Sequence, residues 1–533
     1  MKLSILASVS ALALVATPAF AQTVTQAAAN NDSTVAQTGN SNEASVTQRM
    51  DGQTAAIEQT GNRHSASITQ GHNYGARANS SANTASITQG KREDGTTATS
   101  GSLANISQLS AKSTGTITQK GQNQADIAQG LGAAAAAGTG NSAAISQSDT
   151  NKDGTLINIA GISQDGSNNG ATTAQIGDAN VARVGQNGTS NSSILSQNGL
   201  RNVLDGNQQG NSNLLTGNQI GDGNAADSWQ SGNNNVVSVD QTGNQNQAAI
   251  RQENGDGNKA TVVQTANNNS VGESGAKPGW VNPRSNYDVK SVGILQKGSN
   301  NQAYASQTGN GSANIDQIGN SNFAGVVQDG AKAVFDVAQT GNGNFVTKTA
   351  GAKENVTQTG AGAAIRAIQT GNSNQAVLSQ IGDRALVDIS QIGSTNYAST
   401  TQGPAATDAV SLITQNGNTN SASVSQASFA NSSVNQQGDG NTAGVTQASY
   451  AKSVLDQTGN NNRATVAQGT YATSLITQTG NNDVATVNQG ANSYSSISQT
   501  GGDANLATVT QGANAWSSIA QAGAGNSAIV AQQ

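Results

Sequence analysis

Ala409 to Gln436 reads AVSLITQNGNTNSASVSQASFANSSVNQ, and taken at every second residue back from each glutamine it yields two phrases. One is A-x-S-x-I-x-Q, at Ala409, Ser411, Ile413 and Gln415, returning at Ala430, Ser432, Val434, Gln436 and at Ala451, Ser453, Leu455, Gln457. The other is N-x-A-x-V-x-Q, at Asn420, Ala422, Val424, Gln426, then Asn441, Ala443, Val445, Gln447 and Asn462, Ala464, Val466, Gln468. Alternation with period two over seven residues marks a β-strand with one buried face, because successive side chains leave opposite sides of the pleat. Each phrase is therefore predicted to be a strand whose inner face carries the named residues.

Glutamines 415, 426, 436, 447, 457, 468, 478 and 489 step alternately by 11 and 10, so two strands and two turns take about 21 residues. That is the length of one coil of a solenoid. Turns such as Thr458-Gly459-Asn460-Asn461 carry the Gly and Asn that tolerate tight or left-handed backbone. Ordering about 21 backbones costs roughly 1–2 kcal/mol each, whereas one buried Ile and one buried Val return about 1.5–3 kcal/mol each. A lone coil is thus expected to be unfolded, and stability must come from stacking, with like Gln, Asn and Ser side chains forming ladders along the axis. The predicted fold class is all-β: a β-solenoid of stacked strand-turn-strand repeats, about 21–22 residues per rung, with amyloid-like parallel ladders. Gln415, Gln436 and Gln457 are expected in one ladder, and Gln426, Gln447 and Gln468 in another.

Outward from this stretch the pattern reaches almost the whole chain. Residues 1–21 read as a secretory signal peptide: Lys2 gives the positive start, Leu3 to Ala16 the apolar run, and Ala19-Phe20-Ala21 a small-x-small cleavage site. No other stretch is apolar and long enough to be a membrane helix. A first repeat block spans residues 22–264, irregular around 71–174, where the glutamine spacing widens and an alanine run (Ala133 to Ala137) intrudes. Residues 265–290 interrupt it with Pro278, Trp280 and Pro283, which cannot continue a ladder strand. A second repeat block spans residues 291–533, with a lapse around Phe345 to Glu354. The chain has no cysteine, so disulfides cannot hold it. A net charge of −6, with 10% charged residues, argues against nucleic acid or anionic membrane as partner.

The half-repeat Q-x-G-x-x-N-x-A-x-x-x-Q recurs about a dozen times. Gln37, Gly39, Asn42, Ala44, Gln48 carry it near the start, as do Gln241, Gly243, Asn246, Ala248, Gln252 in the middle and Gln521, Gly523, Asn526, Ala528, Gln532 near the end. It resembles the curlin repeat of bacterial curli fibres. The resemblance implies strand-turn-strand units with Gln and Asn inside, exported unfolded from a Gram-negative bacterium and assembled at the cell surface into amyloid fibres of biofilm matrix. Implied partners are further copies of the chain, a nucleator subunit and an outer-membrane export pore. The chain departs from the family in its length and in its serines. The family places Ser six residues before the first Gln, where Ala409, Ala430 and Ala451 stand here; Ser493 keeps the family position.

Sites for other chemistry are few. His64 stands where the repeat wants Asn and reads as a substituted ladder residue; His72 is the other histidine, and with no Cys and no clustered carboxylates a metal site is not expected. Asp222, Asp256 and Asp439 lie in Gly/Asn-rich turns that lack the tandem calcium-binding repeat, and read as solvated turn acids. No Ser/His/Asp arrangement or acidic groove suggests catalysis, and no cofactor is expected. Phe429, Tyr450 and Tyr471 recur every 21 residues, with Tyr494 and Trp516 following two positions later, and are expected to form an outward aromatic column. That column offers a second functional reading, a monomeric secreted adhesin holding polysaccharide. Asn526, Ala528, Val530 and Gln532 complete an inner phrase just before Gln533, and Val24 and Gln26 do so early, so both end rungs are expected to be growth surfaces.

Overall fold

The computed structural model describes residues 21–27, 30–71, 82–91, 101–130, 139–149, 157–273 and 291–533. Residues 1–20, which hold all but the last residue of the expected signal peptide, His72, residues 133–137, and Pro278, Trp280 and Pro283 lie outside them. The described residues form β-strands and no helix, so none of them makes a helix long and apolar enough to cross a membrane. The protein is an all-β parallel solenoid. It divides into two compact units, residues 1–257 with 273–291 and residues 258–272 with 292–533.

In the second unit, the strand Val410–Asn416 pairs in parallel with Asn431–Gln437, which pairs with Lys452–Thr458. The intervening strands Ser421–Gln426, Thr442–Gln447 and Arg463–Gln468 form the other sheet in the same manner. Gln415 lies opposite Gln436 and Gln436 opposite Gln457; Gln426, Gln447 and Gln468 align likewise, so the register is the one the spacing predicted. Along each strand the phrase residues are buried and their neighbours half-buried or exposed. Ile413, Val424, Val434 and Val445 are nearly inaccessible and stack on their equivalents one rung away. Parallel pairing suits this core because every strand meets a copy of its own pattern, and a one-residue slip would turn the buried set outward.

The first unit keeps this plan through the irregular region. Gln59, Gln89, Gln119, Gln147 and Gln175 lie in one continuous ladder although 28 to 30 residues separate neighbours. The described rungs therefore stay in register although the spacing between them widens. Core volume is conserved by exchange between facing strands. A Cβ on Gly206 would come within 2.1 Å of a Leu215 methyl, and one on Gly217 within 2.5 Å of Leu204, so two Leu–Gly pairs replace the usual Ala and Val or Ile.

The lapse near Phe345 is a split strand in the second unit. Phe345–Thr347 pairs with Phe323 and Ala324, the chain leaves, and Val356–Gln358 resumes pairing at Val326 to Gln328. Thr347 ties the excursion shut: its hydroxyl bonds the carbonyls of Ala352 and Glu354, each at 2.8 Å, and Lys353 Nζ lies 5.8 Å from the Phe345 ring centre.

Candidate functional site

The inner faces form two kinds of amide ladder. Buried glutamines donate to their equivalents one rung along the axis: Gln415 Nε2 to Gln436 Oε1 and Gln436 Nε2 to Gln457 Oε1, both 2.8 Å. The same nitrogen also bridges the sheets, as Gln436 Nε2 does to Ser421 O (3.1 Å). Gln426, Gln447 and Gln468 repeat the scheme at 3.0 to 3.2 Å, each also reaching a backbone carbonyl. Gln37 donates to Gln59 (2.6 Å) and Gln48 to Gln70 (3.0 Å). Gln241 and Gln252 accept from Gln219 and Gln230 and donate to Ala225 O and Val236 O. Gln521 accepts from Gln499 at 2.8 Å. Gln532 accepts from Gln511 at 3.1 Å, and it is exposed whereas its ladder equivalents are buried. These glutamine-to-glutamine bonds all run in one direction along the axis, from the earlier rung to the later.

Asparagine works at the turn. Asn420 Oδ1 accepts the backbone N–H of Asn441, and Asn441 Oδ1 that of Asn462, while Asn420 and Asn441 Nδ2 donate to Gly438 O and Gly459 O at 2.7 Å. Asn42 and Asn246 hold the same place in the first unit, and Asn526, half-buried, in the second. The glycine beneath this contact has no alternative. Gly438 has φ 106°, and a Cβ there would lie 2.2 Å from Gly459 O. These buried amides are satisfied within the stack, each bond contributing about 0.5–1.5 kcal/mol net.

His64 fills an asparagine slot by the same logic. Its backbone N–H donates to Asn42 Oδ1 (3.0 Å), and its Nδ1 accepts the Ser102 N–H (3.1 Å) as an amide oxygen would. Burial holds its pKa below 6.5, against the opposing effect of a bond to the Thr60 backbone. Asp222, Asp256 and Asp439 accept the backbone N–H of Leu200, Asn233 and Asn418 at 2.7 to 2.8 Å. They stand where Asn460 elsewhere accepts the Asp439 N–H, so these acids tie turn to turn. Among the described residues no group of three or more His, Cys, Asp or Glu could hold a metal ion.

The aromatic residues form two stacks where the spacing predicted one column. Phe429, Tyr450 and Tyr471 stack face to face, with ring centres 4.7 Å apart and planes within 13°. Tyr494 and Trp516 stack separately at 6.0 Å, at the starts of strands. The first three sit in turns with φ of 57°, 61° and 60°, a backbone that bulky residues rarely adopt, and Asn492 and Asn514 occupy that turn position in later rungs. Each such residue costs roughly 1–3 kcal/mol of backbone strain, part of it offset by about 0.5–1.5 kcal/mol per stacked ring pair. Both faces of the Tyr450 ring are covered by its neighbours, so within this column Tyr450 presents its ring edge, and Phe429 and Tyr471 each have a ring on one face.

Two features on the outward faces of the first unit escape the alternation. Arg183 and Asp205 point outward by parity yet are buried, with Arg183 NH1 donating to both carboxylate oxygens at 2.9 and 3.0 Å. Burial pushes the Asp205 carboxyl up to about 7 against the pull of Arg183, and the carboxylate of Asp227 pushes it the same way. The other feature is a groove beside Trp229. Parity fixes which side a residue faces, and nothing in the repeat announces what covers that side.

The family model of the curlin associated repeat matches the chain at residues 23–49, 39–71, 166–199 and 232–265. No curated protein matches it.

Proposed function

We propose, from the chain's membership of the curlin-repeat family, that it is a structural subunit that assembles with further copies of itself into extracellular curli-type fibres. The observation that carries this reading is the register of the ladders. Successive rungs such as those of Gln415, Gln436 and Gln457 offer one another the same backbone pattern and the same Gln amides, so a rung of a second copy is chemically equivalent to a rung of the same chain. Parallel stacking of identical units is a heterologous contact that leaves a free surface after each addition, the geometry of an open filament. A role in biofilm matrix and adhesion, export through an outer-membrane pore and nucleation by a second subunit follow from the family and belong to this proposal. The fold and the family point to a structural role and away from catalysis.

Electron microscopy of the purified chain over days tests the proposal, with fibre diffraction expected to give a meridional spacing of about 4.7–4.8 Å. A chain that stays monomeric under conditions in which seeds of its own material are supplied would overturn it.

A further inference from the structure

Four neighbouring strands of the first unit, Asn158–Ser167, Val181–Thr189, Val203–Asn211 and Ala225–Ser231, present their outward residues in straight rows across the sheet. One row runs Gly185, Asn207, Trp229, and the adjacent one Asp165, Asn187, Gln209. Gly185 has no side chain, which leaves a depression two strands from the Trp229 indole, and Asp165, Asn187, Asn207 and Gln209 rim it. The groove has a volume of about 170 Å³. That is below the range of about 300–1,000 Å³ for pockets that enclose a whole drug-sized ligand, so it suits one ring of a longer chain lying on the sheet.

Elsewhere outward polar residues on adjacent strands bond one another, as Asn218 does to Asp240 (3.0 Å) and Asn314 to Asp336 (3.0 Å). The side chains of Asn187, Asn207 and Gln209 make no hydrogen bond among the described residues. Each amide is free both to donate and to accept. Trp229 is half-buried, and its neighbours in the row, Asn207 and Arg251, are not aromatic, unlike the rings of the Phe429 stack.

We infer that this groove is a binding site for a neutral glycan. A pyranose ring has an apolar C–H face that packs on an indole and a rim of hydroxyls that both give and take hydrogen bonds, matching Trp229 and the surrounding amides. Asp165 at the rim and the net charge of −6 disfavour phosphate-bearing and acidic chains. The site differs from the aromatic stacks of the second unit and does not depend on fibre assembly.

The test is titration of the full chain, before and after assembly, with cellohexaose as the neutral probe and polygalacturonate as the acidic one, read by tryptophan fluorescence and calorimetry. Saturable binding of cellohexaose is expected, with W229A weakening it by about twofold to tenfold, in line with the loss of one aromatic stacking partner. N207A should weaken it too, and W516A should leave it unchanged. W229F, which keeps a ring, should retain most of the binding and carries the test if W229A fails to fold. Absence of saturable binding by the native chain, equal binding by W229A, loss with W516A in place of W229A, or equal binding of polygalacturonate each overturns the inference.

Discussion

Asp483 occupies a slot that the ladder reserves for asparagine, and replacing it with asparagine should stabilise the protein. Its backbone N–H donates to Asn462 Oδ1 (2.9 Å), and its Oδ1 accepts both the N–H and the side-chain amide of Asn505 at 2.9 and 3.0 Å. Its Oδ2 is buried with no partner. At the equivalent atom Asn462 carries an N–H₂ that donates to Gly480 O at 2.8 Å and Thr458 O at 3.3 Å. Asp483→Asn keeps the shape and turns an orphaned acceptor into a donor. Removing one unsatisfied buried group is worth about 1–3 kcal/mol and a new bond about 0.5–1.5 kcal/mol, so a gain of about 1.5–4.5 kcal/mol is expected. Asn462→Asp should lose a similar amount by creating the same defect one rung earlier. Asp503→Asn, an equal charge change in an exposed turn, should be close to neutral. Guanidinium denaturation of the freshly prepared chain, followed by circular dichroism, measures the change. Because each rung contacts only its neighbours, native-state hydrogen exchange should place it in strands Arg463–Gln468, Val484–Gln489 and Leu506–Gln511. If Asp483→Asn leaves the midpoint unmoved or lowers it, or if Asn462→Asp is silent, the amide ladder does not hold the stack together.

Two further outcomes follow. Gln436→Leu keeps the bulk but leaves Gln415 Nε2 and Gln457 Oε1 each short of a partner, at about 1–3 kcal/mol per buried group; it should lower the denaturation midpoint and slow seeded growth, while outward Thr442→Ser stays within about 0.5 kcal/mol, and equal effects of the two would refute the ladder assignment. Ser102 N–H needs an unprotonated His64 Nδ1, and because burial lowers the folded pKa below 6.5 the unfolded chain binds the proton first; stability from this site is complete above 6.5 and is lost as pH falls below it. Thermal midpoints across that range should show this fall in the native chain and a flatter profile in His64→Asn, and an identical profile in both would refute it.

The inner faces were legible because period two and a polar ladder leave a trace at every rung: Gln415, Asn420 and Gln426 could be placed by counting. The turns were less so. Gly459 and Asn461 announce a left-handed backbone, but Tyr450 adopts one too, since its neighbours above and below impose the turn whatever the residue. That displacement into the turn is also why Phe429, Tyr450 and Tyr471 part company with Tyr494 and Trp516. The outward face was the least legible. Arg183 and Trp229 have the parity of solvent-facing residues, and their partners come from rungs 22 residues away in sequence with no shared motif.

The split strand at Phe345 to Gln358 bears on how such a chain can change over generations. Its excursion shows that extra residues can be accommodated in the middle of a strand, provided the backbone returns to the same pairing positions. The entropic penalty of a loop rises only with the logarithm of its length, about 0.6 kcal/mol per doubling, whereas a one-residue deletion that shifts parity exposes a whole inner face. Tolerance to insertion and deletion is therefore decided by where the chain rejoins, and hardly by how much is added. A foreign peptide grafted between Lys348 and Asn355 would be carried on the outside of an intact rung, and duplication of whole repeats lengthens the protein without asking any existing residue to change.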